Sequence, residues 1–221
     1  MIILHHLENS RSQRVLWLLE ALKVEYKVEI YKRDPKTNLA PKSLLKINPM
    51  GKSPVIQDED ITLPESGAIF EYLLNKYDRE NKLHPKPEDK NYKDYLFWLH
   101  FAEGSLMWPL VIRLLHSKVI EKVPFFIRPI AKGIFNGIEG AYLAHTIKNS
   151  FDYIEAVLGR NKYFLGESLS AVDILMSFPL EASCSGRASM ESYPNIINFV
   201  KNIKENTDYK KAIEVGGPYV Y

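Results

Sequence analysis

Residues 78–92, DRENKLHPKPEDKNY, divide the chain into two stretches of different periodicity. The segment is polar, holds two prolines and interrupts the apolar pattern on both sides, which marks it as a linker. Before it, short apolar runs alternate with one-faced helical patterns. After it, nearly everything has helical period and nothing reads as a convincing strand. The expected architecture is therefore α/β plus all-α, with a small α/β domain over residues 1–79, a linker over 80–90 and an all-helical domain over 91–221.

Within the first part, IILHHL (2–7) is a short strand candidate, and residues 12–22 place Val15, Leu16, Leu18, Leu19 and Leu22 on one helical face. YKVEIYKR (26–33) alternates with period two and reads as a half-buried strand. A loop over 34–42, a helical turn and the breaker NPMG (48–51) follow. SPVIQ (53–57) and ITL (61–63) form a hairpin around an acidic turn, and PESGAIFEYLLNKY (64–77) is a helix. This order suits a mixed sheet of about four strands. Beyond the linker the predicted helices are 90–117, 122–158 (broken near Pro124 and Pro129), 170–184 and 194–205.

Charge and cysteine usage narrow the function classes. The net charge of +2, from 29 basic and 27 acidic residues spread along the chain, implies neither nucleic acid nor an anionic membrane as partner. The single cysteine, Cys184, has no intrachain partner, which fits a reducing compartment. The opening MIILHHLENS lacks the pattern of a signal peptide, and runs such as LMWPLVI (106–112) are too short to span a bilayer. A cytoplasmic protein is expected.

Six stretches carry candidate chemistry or structure. LENSRSQRVLWLLEAL (7–22) holds two hydroxyls, Ser10 and Ser12, either of which can cap the following helix or face a substrate. In GKSPVI (51–56), Pro54 either opens an edge strand as an ordinary trans proline or, if cis, turns the Val55 backbone toward a peptide ligand. In LPESGAIFEYL (63–73), Glu65 and Ser66 stand at a helix start that favours anions. One of them caps, or the pair receives the ammonium and carboxylate of an amino-acid head. In GESLSAVDILMSFPL (166–180), Ser170 and Asp173 have capping-box spacing, with Leu169 and Ile174 as the hydrophobic staple, so Asp173 is structural rather than catalytic. His5 and His6 lack a ligand cluster around them, so one packed and one half-exposed ring are expected and no metal site. VPFFIRPIAK (123–132), with its two prolines, suggests a bent helix over the mouth of a site.

Taken in order, SRSQRVLWLLEAL, NPMGKSPVI, LPESGAIFEYL and FLGESLSAVDI resemble the cytosolic glutathione transferases, and most of all their serine-type, theta-like microbial group. The resemblance runs from about residue 2 to residue 205. It implies a thioredoxin-like domain followed by a helical bundle, assembled as a homodimer. It also implies that Ser10 donates to the glutathione sulfur, with Ser12 as the alternative hydroxyl, and that Pro54 is cis. Val55 would pair through its backbone with the cysteinyl part of glutathione, Glu65 and Ser66 would hold the γ-glutamyl head, and Lys52 would meet the glycyl carboxylate. Met107 and Trp108 match the electrophile pocket; Glu103, from its place on the helix alone, is expected to reach the partner subunit's glutathione. Two departures matter: the tyrosine that many members use in place of the serine is absent, and no cysteine lies near residue 10. Arg11 either raises the local potential or is simply solvated.

The implied activity is conjugation of glutathione to small apolar electrophiles in detoxification, with peroxide reduction by the same thiolate as a further possibility. Glutathione is the co-substrate, and no cofactor or metal is required. A free thiol of pKa ~8.5 is only a few per cent thiolate at neutral pH. Lowering it by about two units takes roughly 2.7 kcal/mol. One charge-assisted hydrogen bond supplies ~1.5–3 kcal/mol and a helix N-terminus ~0.3–1 kcal/mol, so a serine donor suffices. The alternative is a non-catalytic glutathione-binding or scaffold module of the same fold. A glutathione-dependent isomerase or dehalogenase would use the same thiolate.

Overall fold

Strand β1 (Ile2–Leu7) lies inside a four-stranded sheet of order β2-β1-β3-β4, described here from a computed structural model that covers residues 1–219. It pairs in parallel with β2 (Tyr26–Tyr31) and antiparallel with β3 (Val55–Asp58), which forms a hairpin with β4 (Ile61–Pro64). The parallel pair needs a crossover, and α1 (Ser12–Leu22) supplies it. The second helix, α2 (Ser66–Tyr77), packs on the sheet through Ile69, Phe70, Leu73 and Leu74. Buried Asp58 at the end of β3 accepts from Tyr72, Lys76 and Tyr77, which ties α2 to the hairpin.

A one-faced α1 was expected, but Ser12 through Leu19 are all buried. The reason is tertiary: α1 is sandwiched between its own sheet and two helices of the second domain, α7 (Ala171–Ala182) and α9 (Thr207–Gly216). Trp17 meets Tyr209 of α9 edge-on at 5.1 Å. The linker is also fastened. Buried Asp78 accepts the backbone N–H groups of Lys82, Leu83 and His84, and the Ala171 N–H donates to the Leu83 carbonyl at 2.7 Å. Burial pushes the Asp78 carboxyl up, but these N–H groups and the His84 ring outweigh it, leaving its pKa below the ordinary value.

The helical domain runs α3 (Tyr92–Phe101), α4 (Trp108–Lys122), α5 (Arg128–Ile138), α6 (Ala144–Leu158), α7, α8 (Pro194–Lys204) and α9. Single π-helical turns join α3 to α4 (Ala102–Met107) and α5 to α6 (Glu139–Leu143), so each pair forms one long rod. The expected break near Pro124 and Pro129 is a non-helical turn at 123–127, with Pro129 in the first turn of α5. This segment is not a bent helix over the site: residues 123–127 are a turn between α4 and α5, Phe125, Phe126, Ile130 and Ile134 are exposed, and none of them lines the cleft between the domains. Helix α9 was not foreseen. Its sequence is the most polar of the helices, although Asn206 accepts from the N–H groups of Asp208 and Tyr209 and is a readable N-cap.

Candidate active site

Between the domains lies a cleft of about 350 Å³, floored by the loop that leaves β1. Asn9, Ser10 and Arg11 come from that loop, Lys52 and Ser53 from the stretch before β3, and Arg33 from the end of β2. Across from them Met107, Val111, Leu114 and Phe178 form an apolar wall contributed by the helical domain. The side built by the first domain is thus mainly polar and cationic, and the helical side is mainly apolar with Arg187 among its side chains, a division suited to a charged peptide beside a greasy partner.

Arg33 fixes the floor. Its guanidinium donates to the carbonyls of Glu8, Asn9 and Asn38, while its own N–H donates to the Glu8 carboxylate. The loop that carries Ser10 is therefore bolted to β2 rather than free. Sequence reading missed Arg33, since only the parallel pairing of β1 with β2 brings the two ends together.

Ser10 and Ser12 differ sharply in surroundings. Ser10 lines the cleft and its Oγ accepts the Ser12 N–H at 3.2 Å. Ser12 is fully buried, and its Oγ lies 2.8 Å from Ser10 Oγ and 2.8 Å from His6 Nδ1. Helix α1 begins at Ser12 without a side-chain cap on its Arg11 N-cap residue. Of the two hydroxyls that could cap the helix or face a substrate, Ser10 therefore both lines the cleft and makes the cap-like contact, whereas Ser12 faces inward. Both histidines are buried, against the expectation of one half-exposed ring. His5 is held by Tyr31 and Gln57 on one face of the sheet, and His6 lies on the other.

Arg14, one turn into α1, is a buried bolt between the domains. It donates to the Leu175 carbonyl of α7 at 2.7 Å, to Ser66 Oγ at 3.3 Å and to Glu103. Arg11 holds the other oxygen of Glu103 at 2.5 Å. Burial pushes the Glu103 carboxyl up, but Arg14 and Arg11 outweigh this and hold it below the usual range. Both of its oxygens are engaged within the chain, and Arg11 is ion-paired rather than merely solvated.

The Ser53–Pro54 bond is cis, as the resemblance implied. Val55 pairs with His5 on one side and stands opposite Pro64 on the other, and a proline has no N–H to offer. Glu65 is exposed and holds a left-handed backbone at φ 73°, a conformation that costs ~1–3 kcal/mol for a residue with a side chain. Neither Glu65 nor Ser66 caps α2 through its side chain. The capping alternative is therefore set aside by geometry.

Residues 1–75 match the family described as "Glutathione S-transferase, N-terminal domain", and residues 127–214 match "Glutathione S-transferase, C-terminal domain". The chain belongs to the glutathione S-transferase family. It is 37% identical over 215 residues to Glutathione S-transferase 3 of Schizosaccharomyces pombe, covering 97% of this chain and 87% of that one. With Glutathione S-transferase 1 of Saccharomyces cerevisiae it shares 38% identity over 224 residues, covering 97% and 94% of the two chains. A solved glutathione S-transferase from Actinobacillus pleuropneumoniae superposes with a TM-score of 0.82 at 33% identity, covering 98% of this chain and 93% of that one.

Within the transferase, the sequence-predicted residues separate into two groups. Ser10, Lys52 and Met107 line the cleft itself. Pro54, Val55 and Ser66 are buried beside it, and Glu65 is exposed at the start of α2. Trp108 is not brought to the cleft, because it turns outward and packs against Tyr142 at a centroid distance of 5.4 Å. Consecutive helical residues point about 100° apart, so with Met107 buried against the cleft its neighbour faces out. Asp173 touches no part of the cleft. Its carboxylate accepts from the N–H groups of Phe164 at 2.8 Å and Ser170 at 2.7 Å and from the Ser170 hydroxyl, the structural role expected of it.

Proposed function

We propose that this glutathione transferase binds glutathione along the polar side of the cleft and ionises its thiol at Ser10, for attack on a small apolar electrophile held against Met107, Val111, Leu114 and Phe178. The observation that carries this reading is Ser10 itself, a hydroxyl on a braced loop at the line where the cationic and apolar walls meet. Val55 takes the cysteinyl backbone, since Pro64 leaves that edge of the ladder without an N–H. Glu65 and Ser66 hold the γ-glutamyl head, and Lys52 the glycyl carboxylate. The strained Glu65 backbone supports this assignment, because such conformations concentrate at ligand sites.

Once the thiolate has formed, the Ser10 hydroxyl stabilises it as a hydrogen-bond donor and is not the group that keeps the thiol proton. Such a bond to a charged acceptor is worth ~1.5–3 kcal/mol, enough to bring a thiol of pKa ~8.5 close to neutrality. The test is the ultraviolet absorbance of the thiolate when glutathione binds. It should form in the wild type and be lost in Ser10→Ala, and undiminished thiolate in that variant would overturn the assignment. Binding to glutathione without turnover across electrophiles and peroxides would favour a binding module instead.

A homodimer would give the exposed Phe125, Phe126, Ile130 and Ile134 side chains of the α4–α5 hairpin an apolar partner. Light scattering on the eluting protein measures this directly. No helix among the described residues is long and apolar enough to cross a membrane.

A further inference from the structure

His6 and Ser12 are buried polar groups that the mechanism above leaves without a role. With Ser10 they form an unbroken line from the cleft to the end of α9. Ser10 Oγ to Ser12 Oγ is 2.8 Å, Ser12 Oγ to His6 Nδ1 is 2.8 Å, and His6 Nε2 to the Gly216 carbonyl is 3.0 Å. Only Ser10 reaches the cleft.

The hydrogen positions follow from what each group can accept. A carbonyl cannot donate, so His6 carries its hydrogen on Nε2 and, when neutral, presents a bare Nδ1. Ser12 must then donate to Nδ1. The Leu7 carbonyl, at 3.3 Å, is the poorer acceptor for that hydrogen. With the Ser12 hydrogen committed, Ser10 donates to Ser12. Ser10 also accepts the Ser12 N–H, which leaves it one lone pair for the cleft. At rest the line therefore offers a ligand an acceptor, the polarity opposite to the one a thiolate needs. A single proton on Nδ1 reverses it.

We propose that His6 receives the proton of the glutathione thiol through Ser10 and Ser12, and that this transfer turns the Ser10 hydroxyl outward as the donor to the thiolate. The inference rests on the assignment of Ser10 above. In the step the S–H bond breaks and its proton joins Ser10 Oγ. The Ser10 hydrogen passes to Ser12 Oγ, and the Ser12 hydrogen to His6 Nδ1. Nothing is oxidised or reduced, and the products are a thiolate, two intact hydroxyls and an imidazolium. Both N–H groups of that imidazolium have acceptors in place, Ser12 Oγ and the Gly216 carbonyl.

Burial opposes the step, since it holds His6 below the ordinary histidine value. Three features favour it. The Glu8 carboxylate, on the loop after β1, acts on the ring in the direction of the charged form. The Gly216 carbonyl is at the C-terminal end of α9, where a helix dipole favours a cation. The third is the thiolate itself, a new negative charge at the head of the line. From α1, the facing group is the neutral Ser12. His6 and Ser12 touch no substrate atom; they are positioning residues that act through Ser10.

The test measures two quantities together when glutathione is added in weak buffer below the thiol pKa: thiolate from its ultraviolet absorbance, and protons released from an indicator dye. The wild type should release well under one proton per thiolate, because His6 retains it. Ser12→Ala cuts the line and His6→Gln removes its end, so both should release one proton per thiolate. Each should also raise the pKa of the bound thiol by about one unit, a tenfold change. Ser12→Thr, which keeps a hydroxyl, should restore the low release, whereas a merely structural role would show only in thermal unfolding. Full release by the wild type, or an unmoved thiol pKa in Ser12→Ala, overturns the relay while leaving Ser10 in place. A wild type that forms no thiolate overturns the assignment of Ser10, and the relay with it.

Discussion

Two helix starts in this molecule use serine in opposite ways. At α7, Ser170 is closed off by Asp173, whose carboxylate accepts the Ser170 N–H, the Ser170 hydroxyl and the Phe164 N–H. At α1, Ser10 has Gln13 at the same spacing, the pattern of a second capping box. The structure does not make that box: Gln13 sends its amide to the Ala212 carbonyl of α9 at 2.6 Å. With no acid to satisfy them, the hydroxyls of Ser10 and Ser12 join the line that ends in the cleft. A helix start closed by its own side chains is structural, and one left open to a tertiary network is available for chemistry.

Breaking the closed start should have the largest effect. Asp173→Ala leaves two buried N–H groups and a hydroxyl without an acceptor, which predicts a loss of about 3 kcal/mol or more in urea unfolding. The specific activity of the folded fraction should not change. Breaking the open start should do the reverse. Ser10→Ala is expected to lower kcat/KM for conjugation by about 10- to 100-fold, the equivalent of one charged hydrogen bond, with about 1 kcal/mol of stability lost through the cap-like contact to the Ser12 N–H. A comparable loss of stability in both variants would erase the distinction between the two sites.

A smaller effect is expected from Ser170→Ala, about 1 kcal/mol of stability, since the Asp173 carboxylate keeps its two backbone donors. The mildest test uses pH. Burial raises the Asp173 carboxyl to about 6 from an ordinary 3.8, although Ser170 and the backbone N–H groups pull it down. A carboxyl with a raised pKa holds its proton more tightly when folded. Its contribution to stability is therefore full below its ordinary value and lost as pH rises through the folded one. Relative to Asp173→Asn, the wild type should lose stability between about pH 4 and about pH 6 and then level off. Asp78, lowered by His84 and three backbone N–H groups against its burial, should show the opposite sign, losing stability as pH falls.

What was legible in the sequence was local. The sheet strands, both N-terminal helices, the linker and the Ser170–Asp173 box follow from periodicity and spacing within a dozen residues. Four features escaped, each through a contact distant in sequence or an irregular turn. Trp108 was placed at the cleft with Met107 by resemblance alone, but it turns outward against Tyr142, a contact 34 residues away. His6 gave no signal because its partners are six residues and 210 residues away. Arg33 became part of the floor only through the parallel pairing of β1 with β2. Glu103 looked free to reach across a subunit boundary until Arg11 and Arg14 were seen on its two oxygens.

The sequence by itself determined the change from an α/β stretch to a helical one, the order of the N-terminal elements and the residue types available near the cleft, because hydrophobic period, capping spacing and the SPVI and ES motifs act over short range. Only the tertiary structure decided which of two neighbouring serines faces the cleft and which is buried against a histidine. Packing α1 between its own sheet and helices α7 and α9 buried every residue from Ser12 to Leu19. A hydroxyl thus enclosed has to find its partners inside, and Ser12 found them in His6 and Ser10.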